Sequence, residues 1–123
     1  MKEFDDLREL AAKLRKECPW DKEQTLDSFR IEVVKEAEEL KDAVDPEHAR
    51  EEFGDVFMDL LFVAVVAEEQ GLFTLEDALR KANEKMVRRH PWIFGDVKLN
   101  SAEEAVKKWN EIKEAERNGE NKV

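Results

Sequence analysis

The sequence predicts an all-α protein, an antiparallel bundle of about five helices whose core is completed by homo-oligomerisation. The 123 residues include only 4 Gly and 3 Pro, whereas Glu, Lys, Ala and Leu, which favour helices, are abundant. Apolar residues recur at steps of three and four, the spacing of one helix face, and no run alternates as a half-buried strand does. We therefore expect a single domain over residues 1–117, followed by a disordered polar tail at 118–123.

Composition narrows the class of protein. The formal net charge of −10 argues against a nucleic-acid binder, because such proteins need positive charge to replace counterions. Lone Cys18 has no disulfide partner, and no basic and apolar stretch marks a secretory signal, so we expect a cytoplasmic protein. Residues 1–79 carry 10 basic and 23 acidic side chains, and residues 80–123 carry 11 and 8. The acidic excess thus belongs to the first two thirds of the chain.

The first two helices are predicted from their apolar stripes. The first stripe consists of Phe4, Leu7, Leu10, Ala11 and Leu14. This helix ends at Cys18-Pro19, because a residue that precedes proline avoids the helical conformation. Asp21 and Gln24 resemble a capping pair that opens the second helix. The second stripe consists of Leu26, Phe29, Val33, Ala37, Leu40 and Val44.

The third helix is predicted to begin at once, because Asp45-Pro46 fits an N-cap followed by proline at the first helical position. So short a connection favours an antiparallel hairpin of helices two and three. From Val56 to Ala67 the only polar residue is Asp59. These twelve residues are too few to span a bilayer, and we expect no membrane association. A helix that is apolar on all sides is buried on several of them, so we predict an obligate homodimer or a higher homo-oligomer.

The last two helices are predicted from their ends. Gly71 ends the third helix, and Thr74 with Asp77 resembles a capping box for the fourth. The fourth helix carries Ala78, Leu79, Ala82 and Met86 and stops before Pro91. A loop of about ten residues follows, with Trp92, Ile93 and Phe94. Ser101 and Glu104 open the fifth helix, which carries Ala105, Val106, Trp109 and Ile112 and ends at Arg117.

Two sets of carboxylates are predicted to face each other across the hairpin. They are Glu32, Glu36 and Glu39 on helix two, and Glu52, Asp55 and Asp59 on helix three. At 100° per residue, each set falls within about 60° of arc. Like charges this close repel unless divalent cations lie between them. Oxygen ligands without Cys or His suit Mg²⁺ or Mn²⁺ rather than zinc.

Other interpretations of these acids remain open. A di-iron bundle needs Glu-x-x-His pairs, and His48 and His90 instead follow Asp45 and Val87 by three residues. The acids could also pair with Lys and Arg on a solvated surface. We favour surface pairing for Glu32 and Glu38. For Asp55, which borders the apolar run, we favour a metal.

Over about residues 7–117, the chain resembles the MazG-type all-α nucleoside triphosphate pyrophosphohydrolases. Besides the two acidic motifs, the resemblance rests on Cys18-Pro19-Trp20-Asp21 with Gln24-Thr25, Arg88-Arg89-His90-Pro91 with Phe94-Gly95-Asp96, and Trp109-Asn110-Glu111-Ile112-Lys113. Each segment is weak alone, but the set in this order is fairly specific.

The resemblance implies a set of metal ligands. The family pattern is Glu-Glu-x-x-Glu on one helix and Glu-x-x-Asp on the next, so Glu36, Glu39, Glu52 and Asp55 match the catalytic Mg²⁺ ligands. Lys35 replaces the first glutamate of the pattern. This departure implies either reduced activity or transfer of the role to Glu32 or Glu38. Asp59 stands where relatives often carry an uncharged polar residue, and is either a spare ligand or a buried acid with a local partner.

The resemblance also implies an activity. An NTP or dNTP is hydrolysed to the monophosphate and pyrophosphate, with water attacking the α-phosphorus at a carboxylate-bound metal site. The positions that the family uses around the nucleotide correspond to Lys85, Arg89, Trp109 and Lys113, with Arg88 as the competing choice for Arg89. Trp109 either stacks on the base or belongs to the core. We expect Trp20 to pack beside the pocket and His90 to lie at a helix end.

Two alternative functions remain open at this point. The first is a catalytically impaired helical dimer that binds nucleotides or a regulatory partner, which Lys35 favours. The second is a phosphoribosyl-ATP pyrophosphohydrolase of the same broad superfamily. Release of pyrophosphate from each candidate substrate distinguishes the three functions.

Overall fold

The computed structural model describes residues 1–119, which form seven helices and no strand. The helices are α1 (Lys2–Glu17), α2 (Pro19–Glu23), α3 (Leu26–Lys41), α4 (Pro46–Glu69), α5 (Leu75–Arg88), α6 (Pro91–Phe94) and α7 (Ala102–Arg117). The predicted all-α class is confirmed: the five expected helices are present, and α2 and α6 are short additions. Residues 120–123, the end of the expected disordered tail, lie outside the described residues.

The chain divides into two compact units, an N-terminal unit of residues 1–77 and a C-terminal unit that begins at Ala78. The boundary lies within α5. The expectation of a single domain over 1–117 stays a prediction. None of the helices in the described part of the chain is both long and apolar enough to cross a membrane.

The N-terminal unit is built around α4, which packs against α1 and α3. Its buried core comprises Ala11, Phe29, Leu61, Phe62 and Val66. The rings of Phe29 and Phe62 are nearly parallel, with centroids 4.8 Å apart. Glu39 near the end of α3 lies close to Glu52 near the start of α4, and Glu32 lies close to Asp59 further along. This reversed order confirms the predicted antiparallel hairpin.

The start of α3 differs from the sequence prediction. Asp21 and Gln24 do not open this helix; its N-cap is Thr25, whose hydroxyl accepts a hydrogen bond from the backbone N–H of Ser28 at 3.0 Å. The Ser28 hydroxyl in turn accepts from the backbone N–H of Thr25 at 2.8 Å. This reciprocal pair is a capping box in which serine takes the place usually held by Glu or Gln.

Residues 19–23 form α2 instead of a cap, with Pro19 in its first turn. The Arg15 guanidinium, carried by α1, donates to the carbonyl oxygens of Asp21 at 2.6 Å and Gln24 at 2.8 Å. The carbonyl oxygen of Asp21 also accepts from the backbone N–H of Gln24 at 3.3 Å, and the Arg15 cation adds a second donor at this C-terminal end of the short helix. Trp20 makes an edge contact with Phe29 at 6.4 Å, but more than half of its surface is exposed.

The two ends of α4 agree with the prediction, whereas the end of α3 does not. The Asp45 carboxylate accepts from the backbone N–H of His48 at 2.8 Å, and Gly71 follows α4 with a φ of 69°, where glycine is favoured. The stripe of α3 was expected to reach Val44, but the helix ends at Lys41. Val44 lies in the turn and is 86% exposed, because α4 begins too soon afterwards for another helical turn.

In the C-terminal unit, the predicted loop after α5 is in part helical. Pro91–Phe94 form the single turn α6, with His90 as its N-cap residue, so His90 lies at a helix end as predicted. The Ser101 hydroxyl accepts from the backbone N–H of Glu104 at 3.2 Å and opens α7. Ile112 on α7 is buried.

Candidate metal centre and nucleotide-binding residues

Carboxylates of α3 and α4 converge in two groups of three within residues 1–119. One comprises Glu36, Glu39 and Glu52, and the other comprises Glu32, Glu36 and Asp59. In each group, one oxygen atom from every residue lies within 4.8 Å of the others. Glu36 belongs to both groups. The sequence-predicted ligands Glu36, Glu39 and Glu52 are therefore brought together by the hairpin.

Two carboxylate oxygens in this cluster are buried without a hydrogen-bond partner among the described residues. They are Oε2 of Glu36 and Oε2 of Glu52, and Glu52 as a whole is only 8% exposed. A buried oxygen without a partner is costly. A hard divalent cation that prefers oxygen ligands is the partner such a site fits.

Three carboxyl groups of the cluster, those of Glu36, Glu52 and Asp59, have raised pKa values. Burial, reinforced by Glu39, raises the pKa of Glu36 to about 7. Burial, again reinforced by Glu39, raises the pKa of Glu52. For Asp59, burial together with the charges of Glu32 and Asp55 raises the pKa to about 6. The protein side chains therefore leave the negative charge of this cluster incompletely compensated.

Asp55, the fourth predicted ligand, lies at the border of the cluster. It is exposed and belongs to neither of the two groups. Its charge nevertheless raises the pKa values of Glu36, Glu52 and Asp59, so it acts electrostatically on both groups. Its role as a ligand stays a prediction.

Lys35, which departs from the family pattern, pairs with Glu32. Its Nζ lies 3.2 Å from Glu32 Oε1, so the expected surface pairing of Glu32 is present. Glu32 nevertheless also contributes an oxygen to the group with Asp59. Glu38, the other candidate for the role of the missing glutamate, is exposed and lies outside both groups of described carboxylates.

His48 contacts the cluster although no sequence motif indicated it. Its Nε2 lies 3.4 Å from Oε1 of Glu52. Because His48 follows Asp45 rather than a glutamate by three residues, it does not complete the Glu-x-x-His pair of a di-iron site. That pattern does not predict the contact between His48 and Glu52. The signal that indicates it is the four-residue spacing between His48 and Glu52, which places both on one face of α4.

The four predicted nucleotide-binding residues all lie in the C-terminal unit. Lys85 lies in the last turn of α5, Arg89 directly after it, and Trp109 and Lys113 on α7. The backbone N–H of Arg89 donates to the carbonyl oxygen of Lys85 at 2.9 Å, so helical geometry continues to Arg89 and the two side chains share a face.

Arg89 is held by an acid and an aromatic ring. Its Nη2 donates to Glu116 Oε1 at 2.6 Å, and Arg88 Nε donates to Glu116 Oε2 at 2.7 Å. The Arg89 guanidinium also lies 5.1 Å from the ring centroid of Trp109, and His90 contacts the same ring at 5.4 Å. The two guanidinium groups lower the pKa of Glu116 to about 2. Trp109 is thus half-buried beneath cationic and aromatic neighbours.

A helical protein whose central hairpin carries converging carboxylates defines a narrow class. The family model described as "MazG nucleotide pyrophosphohydrolase domain" matches residues 24–94, which include all of α3 and α4. The chain belongs to the MazG family, and the resemblance inferred from its motifs is confirmed.

Several relatives support this assignment. The chain is 40% identical over 119 residues to "Nucleoside triphosphate pyrophosphohydrolase/pyrophosphatase MazG" of Thermotoga maritima, covering 93% of this chain and 45% of that protein. It is 34% identical over 123 residues to "Nucleoside triphosphate pyrophosphohydrolase" of Escherichia coli strain K12, covering 95% and 47%. It is 41% identical over 121 residues to "Uncharacterized protein YabN" of Bacillus subtilis, covering 94% and 25%. The chain thus spans about a quarter to a half of the length of these relatives.

A solved structure shares the fold. The crystal structure of a mazG-related protein from Thermotoga maritima superimposes with a TM-score of 0.76 at 36% identity. The match covers 89% of this chain and 98% of that one. The chain in that crystal structure is therefore matched over almost its whole length, whereas the longer relatives are matched over half of their length or less.

Proposed function

We propose that the chain is a Mg²⁺-dependent nucleoside triphosphate pyrophosphohydrolase that converts an NTP or dNTP to the monophosphate and pyrophosphate. Mn²⁺ is the alternative ion. The observation that carries this proposal is the pair of buried carboxylate oxygens, Oε2 of Glu36 and Oε2 of Glu52, that have no hydrogen-bond partner among the described residues. Membership of the MazG family and the names of the relatives from Thermotoga maritima and Escherichia coli agree with it.

The roles of the acidic residues follow from their placement. Glu36, Glu39 and Glu52, with Asp55 at the border, hold the cation between α3 and α4. When bound, a divalent ion neutralises charge on the triphosphate and favours attack by water. The oxygen of water attacks the α-phosphorus, the bond from that phosphorus to the bridging oxygen breaks, and pyrophosphate leaves. Without the cation, the carboxylates repel a polyanionic substrate.

The basic residues of the C-terminal unit are proposed to bind the nucleotide. Lys85, Arg89 and Lys113 supply cations for phosphate oxygens, and Trp109 offers a ring on which a base stacks. Support for these roles comes from the family resemblance at these positions. Because Arg89 already donates to Glu116, a phosphate group competes with the Glu116 carboxylate for its donors.

The direct test is a screen for pyrophosphate release from all NTPs and dNTPs, and from phosphoribosyl-ATP, with Mg²⁺ or Mn²⁺. We expect pyrophosphate rather than orthophosphate from at least one NTP or dNTP. Glu39→Gln and Asp55→Asn should abolish turnover while circular dichroism and sedimentation remain those of the wild type. Glu51→Gln, an exposed neighbour of Glu52 on α4, is the matched control and should retain the wild-type rate. Unchanged rates in the first two variants would refute the site.

Measurements on the same samples distinguish the pyrophosphohydrolase from a second possible function. If calorimetry shows that a nucleotide binds but no metal supports pyrophosphate release, the chain is a nucleotide-binding or regulatory protein. Lys35 in place of the family's glutamate is the residue that favours this outcome. Restoration of activity by Lys35→Glu would then identify that residue as the cause.

We further propose that the protein is a homodimer. Phe53 and Leu60 are seven residues apart on one face of α4, and both are exposed in the single chain. On α3, Ile31 and Val34 are exposed as well. A second copy that covers these faces would remove their exposed apolar side chains from water.

A further inference from the structure

The guanidinium group of Arg89 is bound along one edge and contacted on one face. Its Nη2 donates to Glu116 Oε1 at 2.6 Å, and its Nε donates to the same oxygen at 3.1 Å. Its central carbon lies over the Trp109 ring, 5.1 Å from the centroid. A planar group held at both an edge and a face has little freedom to rotate. Glu116 and Trp109 therefore determine where the remaining donors of Arg89 point.

The remaining donors of Arg89 lie mainly on Nη1. Arginine carries five N–H donors in a fixed fork, and no described residue accepts a hydrogen bond from Nη1 of Arg89. The side-chain atoms of the described residues that are buried without a partner belong to the hairpin of α3 and α4, so Nη1 is open to solvent. A phosphate group that approaches Nε and Nη2 has to displace Glu116, whereas one that approaches Nη1 does not.

Glu116 also shares a face of α7 with two of the residues proposed to bind the nucleotide. Trp109, Lys113 and Glu116 follow one another at steps of four and three residues, which places them on one side of the helix. A lone carboxylate at this place would repel a phosphate group. Its presence among these residues therefore requires that its charge be compensated.

Arg88 supplies that compensation. Its Nε donates to Glu116 Oε2 at 2.7 Å, so the two arginines bind different oxygens of one carboxylate. If Arg89 were the only partner of Glu116, the two charges would cancel and leave little attraction for a phosphate group. Two guanidinium groups and one carboxylate leave one net positive charge. The geometry therefore favours Arg88 as the partner of Glu116 and Arg89 as the residue that faces the nucleotide.

We propose that Glu116 is a positioning residue for nucleotide binding, which holds Arg89 against Trp109 so that Nη1 is directed at a phosphate group of the substrate. This inference rests on the proposed function in assigning Arg89 to the nucleotide. It predicts the sign of the effect of removing Glu116. If Glu116 only competed with phosphate for Arg89, its removal would tighten binding, whereas loss of a positioning residue weakens it.

The test measures binding of nucleotides that cannot be hydrolysed to pyrophosphate. The probes are the α,β-methylene analogues of the NTPs and dNTPs, in which carbon replaces the bridging oxygen, titrated with Mg²⁺ in a calorimeter. Glu116→Gln should raise Kd by about tenfold. Arg89→Gln should raise Kd at least as much, and the double variant no further, because Glu116 acts through Arg89. Glu114→Gln, which changes an exposed acid of the same helix, should leave Kd unchanged.

Three results would overturn the inference. They are Glu116→Gln binding as tightly as the wild type or more tightly, losses that add in the double variant, and a wild type that binds none of the analogues. In turnover, Glu116→Gln should raise KM and keep kcat within about twofold, a division that general loss of structure does not produce.

A measurement on the wild type serves if Glu116→Gln does not fold. The ¹⁵N NMR signal of the Arg89 Nε–H, assigned by its absence in Arg89→Lys, should remain protected from exchange with water when an analogue binds. Loss of this protection would show that the phosphate group displaces Glu116, and would overturn the inference.

The proposed function fails by a different measurement. A wild type that releases no pyrophosphate, but whose variants bind the analogues as predicted, would reject that function and keep the role of Glu116. An active wild type whose Glu116→Gln variant binds equally well would do the reverse.

Discussion

Glu116 is the acid on which Arg88 and Arg89 of the C-terminal unit converge. One carboxylate receives donors from both Arg88 and Arg89, and all three side chains are largely shielded from water. Pairing at this depth is worth more than an exposed ion pair, because removal of the acid leaves two cations without a partner. The same carboxylate also holds the Arg89 guanidinium against Trp109. Among the residues proposed to bind the nucleotide, Glu116 therefore holds Arg89 in place.

Replacement of this acid should lower stability in a pH-dependent way. Glu116→Gln should reduce the free energy of unfolding at pH 7 by about 2 kcal/mol, measured by urea denaturation. The pKa of Glu116 is lowered from 4.5 to about 2 in the folded chain, so its stabilisation is complete above pH 4.5 and is lost as the pH falls towards 2. The difference between wild type and variant should shrink over that interval.

Glu114→Gln is the matched control for this experiment. Glu114 lies on the same helix and pairs with Arg117 at the exposed surface, at 3.6 Å. Its replacement should cost less than about 1 kcal/mol. An equal loss in the two variants, or a loss in Glu116→Gln that is constant from pH 7 to pH 2, would contradict the assigned role of Glu116.

At the scale of elements, local signals predicted most helix boundaries. Asp45, Gly71, Thr74 and Ser101 mark ends that depend on neighbouring backbone groups, and such signals are readable within four residues. The helix α2 was not predicted in this way, and its end is supported by a side chain of another helix, because Arg15 donates to the carbonyl oxygens of Asp21 and Gln24. Long-range contacts of this kind leave no periodic pattern in the sequence.

The candidate site likewise has a part that local spacing predicts and a part that depends on long-range packing. Spacing alone placed Glu36 and Glu39 on one face of α3 and Glu52 on one face of α4. The tight connection between the two helices predicted that these faces meet. The proximity of Glu32 to Asp59 depends on the register of α3 against α4, which the stacking of core side chains fixes. The spacing predicted that the two sets of carboxylates face each other, but no motif encodes that register, so the particular group of Glu32, Glu36 and Asp59 became visible only in the structure.

The capping box of α3 provides a test at this scale. Thr25→Ala removes the hydroxyl that accepts from Ser28 and should lower the free energy of unfolding by about 1 kcal/mol, measured by thermal or urea denaturation. Thr25→Ser keeps the hydroxyl and should remain within about 0.5 kcal/mol of the wild type. Equal stability of the alanine variant and the wild type would show that this cap does not support the helix.

At the scale of the whole molecule, charge differs between the two parts of the chain, whereas exposed apolar side chains occur in both. The acidic excess lies in the first 79 residues, whereas residues 80–123 are slightly basic, which agrees with the proposed cation site and the proposed phosphate-binding residues. Exposed apolar side chains occur in both units. In the N-terminal unit they lie on α3 and α4, and in the C-terminal unit Leu79 and Met86 are about half exposed on α5. A chain with such surfaces is incompletely buried as a monomer.

The proposed dimer therefore predicts that stability depends on protein concentration. If the folded state is a dimer, the melting temperature should rise with concentration, because association stabilises only the folded form. Leu60→Lys places a charge on the exposed face of α4 and should weaken association by about tenfold or more, seen by sedimentation and as a lower melting temperature. Val44→Lys changes an apolar side chain that is 86% exposed in the turn before α4 and should leave both measurements unchanged. A folded wild-type monomer at micromolar concentration, with a melting temperature independent of concentration, would rule out the dimer, and the apolar face of α4 would then need another partner.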